Sequence, residues 1–238
     1  MTSPMDALRP AKPPVRSHHT DFAQDETPIS EGGLWLNART DGIDWCDVIT
    51  RNGVAIGEVT REGEAERRAE QGNLQDADAA PVGLYDDPTA VLGGTWGKNQ
   101  FVRAQVYSRN QTNQYFQEVE IRLRTTITPH SCTGYEVFWR CLKTDEAYAE
   151  IVRWDGVIKT WQSLTRKVGP EFGVQDGDIV EACIIGNEIR GYINGVLVTS
   201  ATDDTYTDGG PGVGFNFGVG NTNVDHGLMH FQADTYDD

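Results

Sequence analysis

The sequence has few basic residues and no long apolar run. Its 20 lysine and arginine residues stand against 36 acidic residues, which gives a formal net charge of -16. Because such a chain repels phosphate backbones and anionic membranes, we expect no nucleic-acid partner. No apolar run approaches the roughly 18 residues of a membrane-spanning helix, so we expect no membrane segment. Hydrophobic residues make up 38% of the 238 residues, enough for the core of one large all-β domain or two small ones.

Cysteine is also scarce, at four residues. No CxxC or mixed His/Cys spacing indicates a zinc site. Cys132 and Cys141 lie at the two ends of one predicted strand, about 30 Å apart, so we expect no disulfide between them. The other pairings stay open, and we interpret Cys46, Cys132, Cys141 and Cys183 as small buried side chains or free thiols.

The first twenty residues lack the apolar segment of a secretory signal, and their prolines disfavour a helix. We predict that residues 1–20 form an extended Pro-rich arm, held by an assembly partner such as a neighbouring subunit. Residues 21–238 are predicted to form one domain. A charged loop insertion is expected at about 61–81, where Ala, Glu and Arg are frequent and no apolar stripe appears.

Alternation of apolar and polar residues dominates the rest of the chain. In one segment Val119, Ile121 and Leu123 alternate with Glu118, Glu120 and Arg122, which is typical of a β-strand with one buried face. Turn dipeptides such as Asn-Gly and Asp-Gly separate the segments. We therefore predict an all-β, two-sheet antiparallel sandwich of about a dozen strands, with strands over 101–108, 115–127, 134–141, 147–154, 178–186, 188–193, 196–200 and 211–218.

Two stretches carry a resemblance to a known superfamily. The series GDIVEACIIGNEIRGYINGVLVTSATDDTYTDGGPGVGF (177–215) resembles the C-terminal hairpins of laminin-G-like and concanavalin A-like lectin/glucanase domains. The stretch GYEVFWRCLKTDEAYAEIVRWDG (134–156) is similar to uncharacterised bacterial and phage-borne members of that superfamily. The resemblance implies a concanavalin-like jelly roll. It leaves the activity open, because the fold carries lectins, adhesion modules, glycoside hydrolases and polysaccharide lyases.

The catalytic pattern that the resemblance implies is not matched. Retaining glycosidases of this fold carry acids in an E-x-D-x-x-E pattern, which sets a nucleophile and an acid about 5 Å apart. The stretch QEVEIRLR (117–124) supplies Glu118 and Glu120 but neither the aspartate nor the third acid. The lyase patterns R-[ST]-E and Q-[IV]-H are absent too. If the protein is a hydrolase or lyase, the candidate acids and bases are Glu120, Glu136 and Glu150.

A polar sheet face is the better candidate for a site. One reading is that its charges pair across strands on a solvated surface. The other is a shallow groove in which carboxylates and guanidinium groups bind sugar hydroxyls while Trp154 or Tyr148 stacks on a sugar ring. Trp96, in a Gly-rich loop, is either a lid over the core or a further platform. The candidate carbohydrate-binding residues are Glu118, Glu120, Arg122, Glu136, Arg140, Tyr148, Glu150, Trp154 and Trp96.

Three functions follow from these patterns. The first is a non-catalytic carbohydrate-recognition or adhesion module for a polysaccharide or cell-surface glycan, carried on an extracellular or virion surface as a phage tail or head-decoration protein. The second is a polysaccharide-degrading enzyme, and the third is a purely structural virion protein. No cofactor is required; a Ca²⁺ ion is the one metal considered, at Asp21 and Asp234 near the chain ends.

Overall fold

The computed structural model describes residues 5–42, 45–58, 87–111, 117–157, 160–217 and 224–237. Within these ranges the chain forms two 3₁₀ turns, Asp6–Leu8 and Pro170–Phe172, and fifteen strands. The strands are β1 (Arg16–Thr20), β2 (Trp35–Asn37), β3 (Val48–Arg51), β4 (Val54–Gly57), β5 (Thr89–Leu92), β6 (Asn99–Ser108), β7 (Gln117–Thr128), β8 (Ser131–Arg140), β9 (Tyr148–Gly156), β10 (Trp161–Val168), β11 (Ile179–Ile185), β12 (Glu188–Ile193), β13 (Val196–Thr202), β14 (Gly210–Phe217) and β15 (His226–Tyr236).

The strands form two antiparallel sheets. The larger sheet has the order β13-β12-β11-β6-β15-β4-β3, and β1 pairs with β15 beside this path. The smaller sheet has the order β10-β9-β8-β7-β14-β5-β2. The predicted all-β, two-sheet sandwich is therefore confirmed. No helix in the described part of the chain has both the length and the apolar composition to cross a membrane.

The core lies between the two sheets and follows the alternation of the sequence. On β7, Val119, Ile121 and Leu123 have no exposed surface and pack in the inter-sheet core. Tyr135 and Trp139 of β8 are buried in the same core, as their alternation predicts. Because successive side chains of a strand point to opposite faces, the polar residues that alternate with these, Glu118, Glu120 and Arg122 of β7 and Glu136 of β8, lie on the outer face of the smaller sheet.

Two hairpins form at the predicted Asn-Gly turns. Asn52 and Gly53 connect β3 to β4 with φ values of 50° and 80°, and Asn194 and Gly195 connect β12 to β13 with φ values of 50° and 76°. Positive φ at both central residues is the geometry of the type I′ turn that fits the twist of a two-residue hairpin. All four cysteines are buried and free, in agreement with their interpretation as small buried side chains.

The N-terminal segment packs on its own chain. Residues Arg16–Thr20 pair with β15 from Thr235 to Phe231, so these residues, which we assigned to the arm, are part of the larger sheet. Ahead of them, Met5 is fully buried beside Phe101 and Tyr236 on the outer face of that sheet. The boundary predicted at residue 20 thus falls at the end of a sheet strand. The charged insertion predicted at 61–81 lies outside the described residues.

Candidate functional site

The candidate site lies on the outer face of the smaller sheet, over β7, β8 and β9. In the antiparallel register Glu120 is opposite Phe138, Phe138 is opposite Glu150, and Glu150 is opposite Arg166 of β10. One row further along, Arg122 is opposite Glu136. The sheet therefore brings charged residues from four adjacent strands onto one surface.

The structure brings most of the predicted site residues together, and it buries them. The predicted residues that share this face with at most 5% exposure are Glu118, Glu120, Arg122, Glu136, Tyr148, Glu150 and Trp154. Arg140 lies on the same face next to Glu118 and is half-buried, with its guanidinium 5.9 Å from the Tyr148 ring. Such burial differs from the solvated face that was one of the two interpretations of the sequence.

Arg122 is the centre of the buried charge cluster. Its guanidinium lies 3.1 Å from Asp87 Oδ2, 2.8 Å from Glu120 Oε2 and 2.6 Å from Glu136 Oε2. Two indole rings cover it, because its carbon Cζ lies 5.2 Å from the Trp45 ring and 5.6 Å from the Trp154 ring. Trp154 Nε1 also donates a 2.5 Å hydrogen bond to Glu136 Oε2. The cluster is thus closed from water by Trp45 and Trp154, whose centroids are 4.7 Å apart.

A glycine on the neighbouring strand makes room for this cluster. Gly214 of β14 is opposite Glu120. A Cβ atom there would overlap Glu120 Oε2 and lie 2.9 Å from Arg122 Nε. The absent side chain therefore lets the carboxylate and the guanidinium lie flat over β14.

The carboxyl groups of the site have raised pKa values. Burial, opposed in part by the Tyr148 hydroxyl, raises the pKa of Glu118 to about 8. Burial likewise raises the pKa of Glu136 to about 8, against the attraction of Arg122. Burial and the neighbouring Asp87 raise the pKa of Glu120 well above its ordinary value. More carboxyl groups meet here than the local guanidinium groups can neutralise, so some of them hold protons at neutral pH.

A cleft of about 520 Å³, including space open to solvent, lies against the cluster. Inside it Tyr148 donates a hydrogen bond to Glu118, and Arg166 donates one of 2.9 Å to Glu150 while stacking 3.8 Å from the Tyr148 ring. Trp161 is 48% exposed at the edge of the cleft. The lining residues are Asp87, Glu118, Glu136, Phe138, Tyr148, Glu150, Val152, Trp154, Trp161, Arg166 and Asn216.

Several residues of the site were missed in the sequence. Asp87 precedes β5 after a charged stretch, so no periodicity singled it out. Trp161 and Arg166 lie on β10, which the sequence analysis did not assign as a strand. Residues 161 and 166 are an odd number of positions apart, so in a regular strand their side chains would point to opposite faces. The register shift between Ser163 and Thr165 puts both of them on the cleft side. No local signal marks this strand, because its side chains are mostly exposed and a bulge interrupts its alternation.

Trp96 lies elsewhere. Its ring is buried in the inter-sheet core with Arg16 Cζ 4.0 Å away, and its Nε1 donates to Gly93 O at 3.2 Å. It is therefore the lid over the core of the two roles considered, and it does not reach the cleft.

The two aspartates considered for calcium are not brought together. Asp234 is opposite Ser17 in the pairing of β1 with β15, so it lies about 13 Å along the strand from Asp21. Its carboxylate accepts hydrogen bonds from Arg9 and Gln232, whereas Asp21 pairs with His230. The carboxylate oxygens of Asp87, Glu120 and Glu136 do lie within 4.8 Å of one another. The Arg122 guanidinium already supplies the positive charge there, and a metal ion would have to displace it.

The chain is similar to several solved structures in fold, at low sequence identity. No family model and no curated protein matches the sequence. Among solved structures, the carbohydrate-binding module CBM66 from Bacillus subtilis has a TM-score of 0.51 at 11% identity, over 81% of this chain and 97% of that one. A prokaryotic β-1,3-1,4-glucanase (lichenase) from a mouse hindgut metagenome has a TM-score of 0.51 at 12% identity, over 92% and 98%. The CBM2 module of the evolved Dit of Lactobacillus casei BL23 phage J-1 has a TM-score of 0.50 at 13% identity, over 93% and 97%.

The two-sheet architecture and these likenesses define the class. The chain is an all-β sandwich of the jelly-roll type. More narrowly, it has the concanavalin-like fold of lectins and glucanases, as the resemblance in the sequence implied.

Proposed function

We propose that the protein is a non-catalytic carbohydrate-recognition module that binds a polysaccharide or cell-surface glycan in the cleft over β7, β8 and β9. The observation that carries this proposal is the exposed Trp161 ring at the edge of a cleft whose floor is made of hydrogen-bonding carboxyl groups. An aromatic ring offers an apolar face for a sugar ring, and carboxyl groups accept hydrogen bonds from its hydroxyls.

Side chains on the floor of the cleft are held by contacts within the protein itself. Glu136 is held by Arg122 and Trp154, and Glu118 is held by Tyr148. Because these side chains are fixed by packing and hydrogen bonds, little conformational entropy is lost when a ligand binds to them. A preformed concave site with a few fixed polar groups is typical of small-ligand recognition.

Hydrolysis is the second candidate, and a specific observation favours it. Glu118 and Glu136 have pKa values of about 8, so each is protonated at neutral pH, as a general acid must be. Of the acids named from the sequence, Glu136 and Glu150 line the cleft, whereas Glu120 is buried beneath it. We rank recognition first because the lining glutamates already contact Tyr148, Arg122, Trp154 or Arg166, and because the E-x-D-x-x-E pattern is missing.

The proposal extends to location. Polysaccharides and cell-surface glycans are met outside cells, so we propose that the protein acts on an extracellular or virion surface, such as a phage tail or capsid decoration. The likeness to a phage Dit module supports the fold of such a component and no more. A purely structural virion protein with no glycan ligand is the alternative against which the proposal is tested.

The test is a glycan array run beside two turnover assays on a polysaccharide panel. One assay measures new reducing ends, and the other measures the ultraviolet absorbance of unsaturated lyase products. We expect retention on at least one glycan class with no turnover. Turnover that disappears in Glu136→Gln would establish the enzyme instead. Neither retention nor turnover would leave the structural role.

A further inference from the structure

We propose that the cleft takes an amino sugar and holds its protonated amine between the carboxyl groups of the floor. This inference rests on the proposed carbohydrate site and names the chemical class of its ligand. It starts from the balance of charge around the cleft, which favours a cation.

The described residues around the cleft include more carboxyl groups than guanidinium groups. The carboxyl groups are those of Asp87, Glu118, Glu120, Glu136 and Glu150, and the guanidinium groups are those of Arg122, Arg166 and Arg140. Even when the half-buried Arg140 is included, two carboxyl groups are left without a guanidinium counterpart. Buried carboxylates without a counter-charge are unfavourable, so a bound cation would relieve them.

The guanidinium groups are already engaged at the two sides of the cleft. Arg122 contacts three carboxylates behind Trp45 and Trp154. Arg166 pairs with Glu150 on the far side. Between them Glu118 faces the cleft with the neutral Tyr148 hydroxyl as its hydrogen-bond partner. The middle of the floor is therefore rich in carboxyl oxygen, with the half-buried Arg140, opposite Glu118, as the nearby positive charge.

The titration of these groups agrees with that geometry. Burial, together with the nearby Glu136, Asp87 and Glu150, raises the pKa of Glu118 to about 8. A proton thus takes the place of the missing cation at neutral pH. A ligand ammonium group that entered the cleft would stabilise the carboxylate form and displace that proton.

The walls of the cleft fit the rest of such a ligand. Trp161, Trp154 and Phe138 supply aromatic faces for a sugar ring or for an ammonium group. Uronic or sulfated sugars would bring a negative charge to a floor of carboxyl groups and be repelled. An N-acetylated sugar has lost the charge, so it would gain hydrogen bonds but no ion pair. We therefore expect this floor to prefer a sugar with a free amine over acidic and N-acetylated sugars.

The test compares a glucosamine oligosaccharide with its N-acetylated counterpart of equal length by isothermal titration calorimetry. The measurement is made at about pH 6, where the sugar amine carries a proton and Glu118 is protonated. We expect the free amine to bind at least about tenfold more tightly, with a net release of protons that appears as a heat dependent on the buffer. Added salt should weaken the binding of the free amine and leave the binding of the acetylated sugar unchanged.

Two variants test whether the preference for the amine and the proton release arise at Glu118. Glu118→Gln replaces a protonated carboxyl by an amide of the same shape, so the fold is expected to persist, as thermal unfolding will show. It should abolish most of the proton release and reduce the preference for the amine to about twofold or less. Glu171→Gln removes an exposed carboxyl outside the cleft and should change neither quantity.

The outcomes separate the inference from the function on which it rests. Equal or tighter binding of the N-acetylated oligosaccharide overturns the inference and keeps the carbohydrate site. A simple polyamine that binds as tightly as the amino sugar overturns it too, because the sugar then contributes nothing. An unchanged preference in Glu118→Gln shows that the amine binds elsewhere. If no glycan of the panel binds, the proposed function fails and the inference fails with it.

Discussion

Arg122 has no exposed surface, yet its guanidinium contacts three carboxylates beneath two indole rings. A buried ion pair gains little over an apolar packing, because both charges must leave water. Removing one partner is different, since the remaining charges stay buried without compensation. Arg122 is therefore the residue on which the floor of the cleft depends.

Arg122→Met should destabilise the fold by about 3–5 kcal/mol near pH 8. The loss should be smaller near pH 5, because burial raises the pKa of Glu136 to about 8, so this neighbour is then protonated and needs no counter-charge. Urea unfolding of both proteins at the two pH values measures the difference. Arg109→Met, which removes an exposed pair with Asp176, is the control and should cost little stability at either pH value. An equal loss for Arg122→Met at both pH values would contradict the charge cluster.

At this scale the sequence placed the charged residues of β7, β8 and β9 on one face, but it missed Asp87, Trp161 and Arg166 and did not predict the burial of the face. Strand alternation alone places Glu118, Glu120 and Arg122 on one face. The burial of Arg122 comes in part from Trp45, which is distant in sequence and whose position no local pattern reveals. The interpretation as a solvated face failed for that reason.

Strand β14 shows how one element makes room for another. Gly214 faces Glu120 and Arg122, and Gly212, two residues earlier, approaches the backbone of Ala90. A side chain at position 214 would occupy the volume that the charge cluster fills. Glycine in a strand often marks a site where another part of the chain approaches the backbone closely.

Gly214→Ala should destabilise the protein by about 1–3 kcal/mol, because the added methyl group forces Glu120 and Arg122 to move. Thermal and urea unfolding give the value. Gly93→Ala is the matched control: its nearest atoms would lie 3.5 Å from the new Cβ, which is an ordinary contact. If both variants lost the same stability, the loss would reflect glycine replacement in general and not the cluster.

Strand β10 shows where periodicity fails. Its register shifts between Ser163 and Thr165, so a period of two is interrupted in the middle of an eight-residue strand. Its side chains are also mostly exposed, and no apolar face marks it. Strands β7, β8 and β12 were predicted closely because their buried residues mark the alternation, even though the pairing of β7 with β8 also shifts, between Leu123 and Thr126.

For the molecule as a whole, the buried acids make stability depend on pH. The folded pKa values of Glu118 and Glu136 are about 8, above their ordinary 4.5, so the folded state binds more protons between these values. Their contribution is present at low pH and is lost as the pH rises towards 8. His226 acts in the opposite sense, because burial lowers its pKa from 6.5 to about 4 and its contribution is lost as the pH falls through that window.

The free energy of unfolding should therefore decline as the pH rises from about 6.5 to 8, where of these three groups only the glutamates titrate. Each contributes a slope of up to about 1.4 kcal/mol per pH unit. Urea unfolding across this range measures the slope. Glu118→Gln should reduce the slope but not remove it, because Glu136 and Glu120 also have raised pKa values, and Glu171→Gln should leave it unchanged. Stability that rises over the same range in the unmodified protein would refute the raised pKa values.

The overall sandwich was readable from the sequence because alternation and turn dipeptides recur through most of the chain. The position of the N-terminal segment could not be predicted from the sequence. Its prolines indicate an extended conformation but do not say what it contacts, and the pairing of Arg16–Thr20 with β15 joins opposite ends of the chain. Local patterns cannot specify such long-range pairing.

The central claim, a carbohydrate site at the cleft, rests on the exposed ring of Trp161. The direct measurement is the affinity of the best-retained glycan for Trp161→Ala beside Val168→Ala, which shortens an exposed residue on the same strand outside the cleft. We predict that Trp161→Ala loses at least about tenfold in affinity with its thermal stability unchanged, and that Val168→Ala binds as the unmodified protein does. Undiminished affinity in Trp161→Ala would contradict the account.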